Sequence, residues 1–257
     1  MSHHRALNVL RRVAAVAVLL ATVLVAAPAE AGRRPWIWVW DTEVLHEREV
    51  EIEQWIWEMN LGAKQSAWLW WAPVVGLTDT LELAVPVEAS WWWLPSEADG
   101  DKWQASTQFE TWGLSLRWRL AENDPDEAGD WVPLVRLAIK KLMGGRKPQW
   151  QFEGNVVVSN DTGALHSTLD LGFFYATRGA QWATYAFGMA YGINDAIRLG
   201  GEVFGEIGLS EERKTFTMVG PDLGFTHGRT WITIGCLIGV TDKAARYMPR
   251  LIWAIKF

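Results

Sequence analysis

The sequence predicts an all-β fold, a transmembrane antiparallel up-and-down β-barrel of about twelve strands, and three observations carry that prediction. Beyond residue 31 no run approaches 18 uninterrupted apolar residues, so no segment can cross a bilayer as a helix. Runs of about 10–14 residues instead alternate apolar and polar side chains with a period of two and are separated by turn signals. Nineteen tryptophans suit a chain whose side chains must be oily at one end and wet at the other, as at a membrane interface. Lipid offers no water to a backbone group, so a chain that spans with strands must close them into a barrel.

Residues 1–31 read as a cleaved secretory signal peptide. Arg5, Arg11 and Arg12 form a basic n-region, Val13 to Ala27 is an apolar stretch broken by no charge and by Thr22 alone, and Ala29-Glu30-Ala31 places small residues at the cleavage positions. The apolar stretch falls short of the roughly 20 residues a spanning helix needs, which favours cleavage over anchoring. Ordinary Sec export is expected, because a barrel with a lipid-facing exterior must cross the inner membrane unfolded. Losing the leader removes Arg5, Arg11, Arg12 and Glu30, which takes the formal net charge from −6 to about −8. That balance argues against nucleic acid as a partner. Cys236 is the only cysteine, so neither an intramolecular disulfide nor a cysteine-based metal site is possible.

Residues 32–48 form a periplasmic N-terminal segment whose Trp36-Ile-Trp-Val-Trp40 run is apolar enough to fold into the lumen. The barrel then occupies residues 49–257, with strands near 49–59, 66–77, 80–94, 103–120, 131–143, 149–158, 164–175, 182–193, 196–209, 215–226, 229–240 and 246–257. Ten and fourteen are the neighbouring even counts. Leu81, Leu83, Val85 and Val87 oppose Glu82, Ala84, Pro86 and Glu88, and Ile232, Ile234, Cys236, Ile238 and Val240 oppose Arg229, Trp231, Thr233, Gly235 and Gly239. Gly76-Leu-Thr-Asp79, Gly192-Ile-Asn-Asp195 and Thr226-His-Gly-Arg229 are tight hairpin signals that fall on one side, where barrel turns are short and periplasmic. The acidic connection Glu122 to Asp130 falls on that side too and reads as a solvated loop.

The last strand places Tyr247, Pro249, Leu251, Trp253, Ile255 and Phe257 on one face and Met248, Arg250, Ile252, Ala254 and Lys256 on the other. Here the sequence resembles the terminal strand of bacterial outer-membrane barrels, which alternates in this way and ends in a phenylalanine that the barrel-assembly machinery recognises. The resemblance implies that Tyr247, Leu251, Trp253, Ile255 and Phe257 form an assembly signal. It also implies the outer membrane, with its lipid and lipopolysaccharide, as the surroundings.

Alternation assigns Glu51, Glu53, Glu82, Glu88, Arg117, Arg119, Arg136, Lys140, Glu153, Asp170, Arg198, Glu202, Glu206, Asp222 and Arg250 to the lumen. Both signs occur on neighbouring strands, which suggests cross-strand ion pairs that either fill a narrow barrel or line a pore. Trp55, Trp57, Trp68, Trp70, Trp71, Trp91, Trp92, Trp93, Trp103, Trp150 and Trp182 sit toward the outer ends of their strands and read as an aromatic girdle in the outer leaflet. Adjacent tryptophans cannot all face lipid. With Trp91 and Trp93 outward, Trp92 points into the lumen and one of Trp70 and Trp71 must do the same; Trp70 and Trp92 are therefore candidates for an aromatic mouth.

No phosphate-cradling glycine loop, His-Glu-x-x-His or Gly-x-Ser-x-Gly is present, and no cofactor is expected. His166 and Ser167 are adjacent and so face opposite sides of a strand, which removes them as a hydrolase pair. Thr42 to Glu53 with its Glu-x-Glu strand, Gly76-Leu-Thr-Asp-x-Leu-Glu-Leu83, Gly220-Pro221 and the closing strand together resemble the bacterial outer-membrane family associated with the meta-cleavage pathway of phenol degradation. That resemblance implies a barrel of this size that lets hydrophobic or aromatic small molecules across the outer membrane. The functional expectation is a passive channel for such solutes and not an enzyme. The competing expectation is a closed structural or adhesive barrel without transport.

Overall fold

The computed structural model describes residues 34–60, 65–95, 103–121, 131–143 and 149–257. The expected signal peptide, the acidic connection 122–130 and the connections 61–64, 96–102 and 144–148 lie outside the described residues. The strands are β1 (Val50–Asn60), β2 (Gln65–Thr78), β3 (Leu81–Ala84), β4 (Val87–Pro95), β5 (Trp103–Arg119), β6 (Trp131–Leu142), β7 (Gln149–Thr162), β8 (Leu165–Ala176), β9 (Gln181–Asn194), β10 (Ile197–Gly208), β11 (Phe216–His227), β12 (Thr230–Gly239) and β13 (Tyr247–Lys256). All pairings are antiparallel, and β1 pairs with both β2 and β13, so the sheet closes on itself.

One expected strand, 80–94, is split into β3 and β4. Both halves pair with β2 on one side and β5 on the other, and Val85 and Pro86 lie between them. Pro86 has no N–H to give to a ladder, and Pro73 lies in the facing part of β2, so the pairing thins there. It does not break: Val85 N donates to Pro73 O at 3.1 Å and Gly113 N to Pro86 O at 3.0 Å. The two halves are one stave, and the barrel is closed by twelve.

Outward-facing Leu137, Val156, Leu171, Tyr191, Leu199, Leu223, Ile234 and Ile238 are exposed on successive staves. An apolar skin that runs round the whole circumference is a lipid-facing surface. No helix among the described residues is long and apolar enough to cross a membrane. Two-residue turns at Asp79-Thr80, Gly163-Ala164, Asp195-Ala196 and Gly228-Arg229 mark one end of the barrel. Gly163 and Gly228, the first residues of their turns, take φ of 61° and 56°, a left-handed conformation that glycine adopts without steric cost. The two ends of the barrel chain meet at the same end, where Phe257 N donates to Val50 O at 2.8 Å.

Inside the barrel lies the chain's own N-terminal segment, residues 34–49. It rises from the tight-turn end, where Arg34 and Pro35 lie beside Asp195 and Ala196, and arches over at Trp38 and Trp40. It returns to that end at Glu47, whose N–H donates to Asp79 Oδ1 at 3.1 Å. Trp36, Ile37, Val39 and Leu45 are buried against inward Trp55, Trp70, Met218, Trp231 and Ile252, and this cluster is the core of the molecule.

Candidate functional site

An irregular segment at membrane depth has no water for its backbone groups, so the barrel wall must satisfy them. The inward charges do so. Glu202 Oε2 accepts from the successive N–H groups of Trp38 and Val39 at 3.0 and 3.1 Å, Asp170 Oδ2 from Trp40 N at 3.3 Å, and Glu82 Oε2 from Leu45 N at 2.9 Å. Arg117 donates to the carbonyls of Asp41 and Glu43, and Thr233 to that of Arg34. Arg34 Nε pairs with Glu53 Oε1 at 2.8 Å. His166 is clamped between carboxylates, with Nδ1 2.8 Å from Asp161 Oδ1 and Nε2 3.0 Å from Asp41 Oδ2 of the arch. Ser167 lies on the opposite face, bonded to Asn160 O, so it does not meet His166, whose bonds fasten the arch.

Glycine is required at two close approaches. A Cβ on Gly188 would sit 2.6 Å from the Trp36 indole, and one on Gly76 would sit 1.8 Å from His46 O. Both positions let the arch lie directly on the wall.

The remaining inward charges pair across strands or meet neighbouring groups. Arg117 reaches Glu82 at 2.6 Å, Arg136 reaches Glu153 at 2.7 Å, and Lys140 joins Glu88 and Glu153 at 2.7 and 2.8 Å. Glu51 accepts from Trp231 Nε1, Arg119 donates to Asp79 O, and Glu206 lies 3.9 Å from Arg213. Arg198 lines the space beside Arg34 near the tight turns. Asp222 is buried with neither carboxylate oxygen hydrogen-bonded. Arg250 is buried between indole rings, 4.1 Å from both Trp38 and Trp55.

Above the arch the lumen is an open cup of about 200 Å³. Trp38 and Trp40 are its floor; Trp55, Trp57 and Trp70 form one wall, Arg136, Lys140, Glu88 and Glu153 face them, and Trp182 also borders the space. The rings stack in series: Trp55 on Trp70 with centroids 4.3 Å apart, Trp57 on Trp68 at 5.7 Å, and Trp68 edge-on to Trp92 at 5.8 Å. Trp70 is thus buried in the lumen and its neighbour Trp71 is exposed outside, while Trp92 is half-buried above the cup with Nε1 donating to Ser90 Oγ at 2.8 Å.

The girdle expectation is corrected for Trp55, Trp57, Trp68 and Trp182. Trp57 and Trp68 are half-buried, Trp55 and Trp182 are buried, and three of the four line the cup. The physical reason is parity: Trp55 and Trp57 share the odd positions of β1 with buried Glu51 and Glu53. Trp71, Trp93 and Trp150 do face outward. On β13, Tyr247 and Ile255 are exposed and Leu251 and Trp253 half-exposed on that outer face, and Phe257 just beyond the strand is exposed as well.

No protein-family model matches the chain, and no curated protein matches it. Solved structures do. An outer-membrane channel from Pseudomonas putida F1 aligns with a TM-score of 0.59 at 10% identity, over 84% of this chain and 98% of that one. The KdgM porin aligns with a TM-score of 0.51 at 9% identity, over 81% and 99%. The translocator domain of the autotransporter NalP from Neisseria meningitidis aligns with a TM-score of 0.50 at 10% identity, over 81% and 87%. At such identities the likeness is one of fold: this chain has the fold of outer-membrane β-barrels.

Proposed function

We propose that this chain is an outer-membrane barrel through which small hydrophobic or aromatic solutes pass, entering by the cup and leaving when the arch yields. The observation that carries this reading is the ring-lined cup itself. A closed structural barrel gains nothing by leaving a lumenal space bounded by six indoles, whereas a small apolar solute gains from each surface it covers there. Transport agrees with a channel and a porin among the fold neighbours, but an autotransporter translocator shares the barrel, so fold alone does not choose. Lipid and lipopolysaccharide surround the barrel in this reading, the barrel-assembly machinery inserts it, and no catalytic step is assigned to it. The rival reading, a closed barrel without transport, draws on the close seating of the arch.

The test is purified protein reconstituted into liposomes and planar bilayers. Uptake of a neutral aromatic solute should exceed that of protein-free liposomes and should fall when Trp57→Ala removes part of the cup wall. Absence of both conductance and solute uptake would overturn the channel reading in favour of the closed barrel.

A further inference from the structure

The geometry points to Arg250 as the anchor of an anion site in the cup, one that takes a single aromatic ring bearing a carboxylate. The inference rests on the cup being a solute site, and it names the solute's polar group.

Of the three cations lining the cup, two are occupied. Arg136 donates to Asn155 Oδ1 at 3.0 Å and to Glu153 Oε2 at 2.7 Å, and Lys140 holds Glu88 and Glu153. Arg250 differs. Only 4% of it is exposed, and among the described residues it makes no ion pair and no hydrogen bond; its Nε is buried without a partner. Its contacts are π faces: Trp38 and Trp55 at 4.1 Å and Trp57 at 5.0 Å. Glu202, Glu53 and Glu88 balance its charge at longer range without bonding it: Glu202 Oε2 is committed to the Trp38 and Val39 amides of the arch, Glu53 to Arg34 and Glu88 to Lys140.

Rings over the flat of a guanidinium leave its edge to bond. That edge is a planar fork of N–H donors whose best match is a carboxylate, held bidentately. A buried donor left unpaired costs free energy that an incoming acceptor would recover. Size agrees as well: an apolar cavity of roughly 150 Å³ holds benzene, so about 200 Å³ holds one ring with one small substituent. The aromatic wall would take the ring and Arg250 the carboxylate.

The experiment titrates the folded protein in detergent with benzoate, benzyl alcohol and acetate, read by tryptophan fluorescence. Benzoate should bind at least tenfold more tightly than either of the others. In Arg250→Gln that preference should vanish while benzyl alcohol binds as before. Should Arg250→Gln fail to give the folded barrel, Arg250→Lys keeps the charge without the fork and should lose most of the preference; a preference retained in full by the lysine variant would overturn the assignment. Equal binding of benzoate and benzyl alcohol to the unaltered protein would overturn the anion site and leave the aromatic cup standing. Acetate binding as tightly as benzoate would overturn the aromatic class. No binding of either ring compound would remove the cup as a solute site, and the proposed function with it.

Discussion

Truncating Trp36 should unseat the arch without unfolding the barrel. Its indole is wholly buried, stacks on His166 with ring centroids 5.8 Å apart, and fills the space left by Gly188. Its Nε1 has no hydrogen-bond partner, so Trp36→Ala sacrifices packing and no polar bond. A buried tryptophan cut to alanine costs about 3–5 kcal/mol. That cost falls on the seated arch alone if the twelve-stave sheet, whose ladder Trp36 does not join, keeps its own pairing. At about 1.4 kcal/mol per tenfold, the fraction of molecules with the arch released should rise roughly 10²- to 4 × 10³-fold. Hydrogen exchange reads this directly, because local opening exposes amides that the folded wall protects. The amides of Trp38 and Val39, bound to Glu202, and of Leu45, bound to Glu82, should lose protection by that factor, while amides within β11 should not change. Unchanged protection in the arch would refute it as a separately opening unit. Equal loss in β11 would show instead that arch and barrel unfold together.

Two further outcomes are expected. Deleting Phe257 removes the hydrogen bond from its N–H to Val50 O, which is the last bond of the β1–β13 seam, and an outward aromatic beside it. Assembly into the outer membrane should fall while export continues, as measured by the heat-shifted band of the folded barrel on gels; full assembly would count against the closing strand as an assembly signal. Glu49 lies outside the spanning strands. Partial burial pushes its carboxyl up, but Lys256 Nζ at 2.7 Å and the His46 amide that donates to it outweigh burial and hold it below the ordinary glutamate range. A depressed carboxyl stabilises the fold above its unfolded pKa and loses that contribution as pH falls through the folded value. Glu49→Gln should therefore cost about 0.2–1 kcal/mol at neutral pH, the range of exposed pairs, and nothing in acid. A stability difference from the unaltered protein that does not shrink on acidification would refute the pairing.

The fold was legible because membrane barrels repeat one local rule. Ile232, Ile234 and Ile238 on β12 and Tyr247 and Ile255 on β13 keep their parity to the strand ends, and each stave restates it independently, so an error of a residue or two at a boundary does not move a side chain to the other face. Where the rule lapses, at Val85-Pro86, the cause is also local: a proline without an N–H. The arch obeys no period. Which carboxylate meets which amide, Glu202 with Trp38 across 164 residues of sequence, depends on closure of the whole sheet and leaves no mark in either stretch alone. The lumenal charges could thus be placed on the inner face, but their partnership with the backbone of the arch could not be read beside their cross-strand pairing.

The tryptophans of β1 were a different matter, because the information was present in a single strand. Glu51, Glu53, Trp55 and Trp57 occupy alternate positions, so whatever places the first two carboxylates in the lumen places both indoles there. A tryptophan near a strand end in a membrane barrel is ordinarily an interfacial anchor, and that expectation outranks parity only where the two do not conflict. Here they conflict, and geometry decides: a strand cannot turn two residues to lipid without a bulge, and β1 pairs with β2 in unbroken register from Val50 to Asn60. The same parity on β2 carries Trp68 and Trp70 inward beside them. Consecutive staves that each turn two indoles to the lumen build a continuous aromatic wall, and this wall, together with the Arg250 guanidinium set into it from β13, is what the proposed solute site is built from.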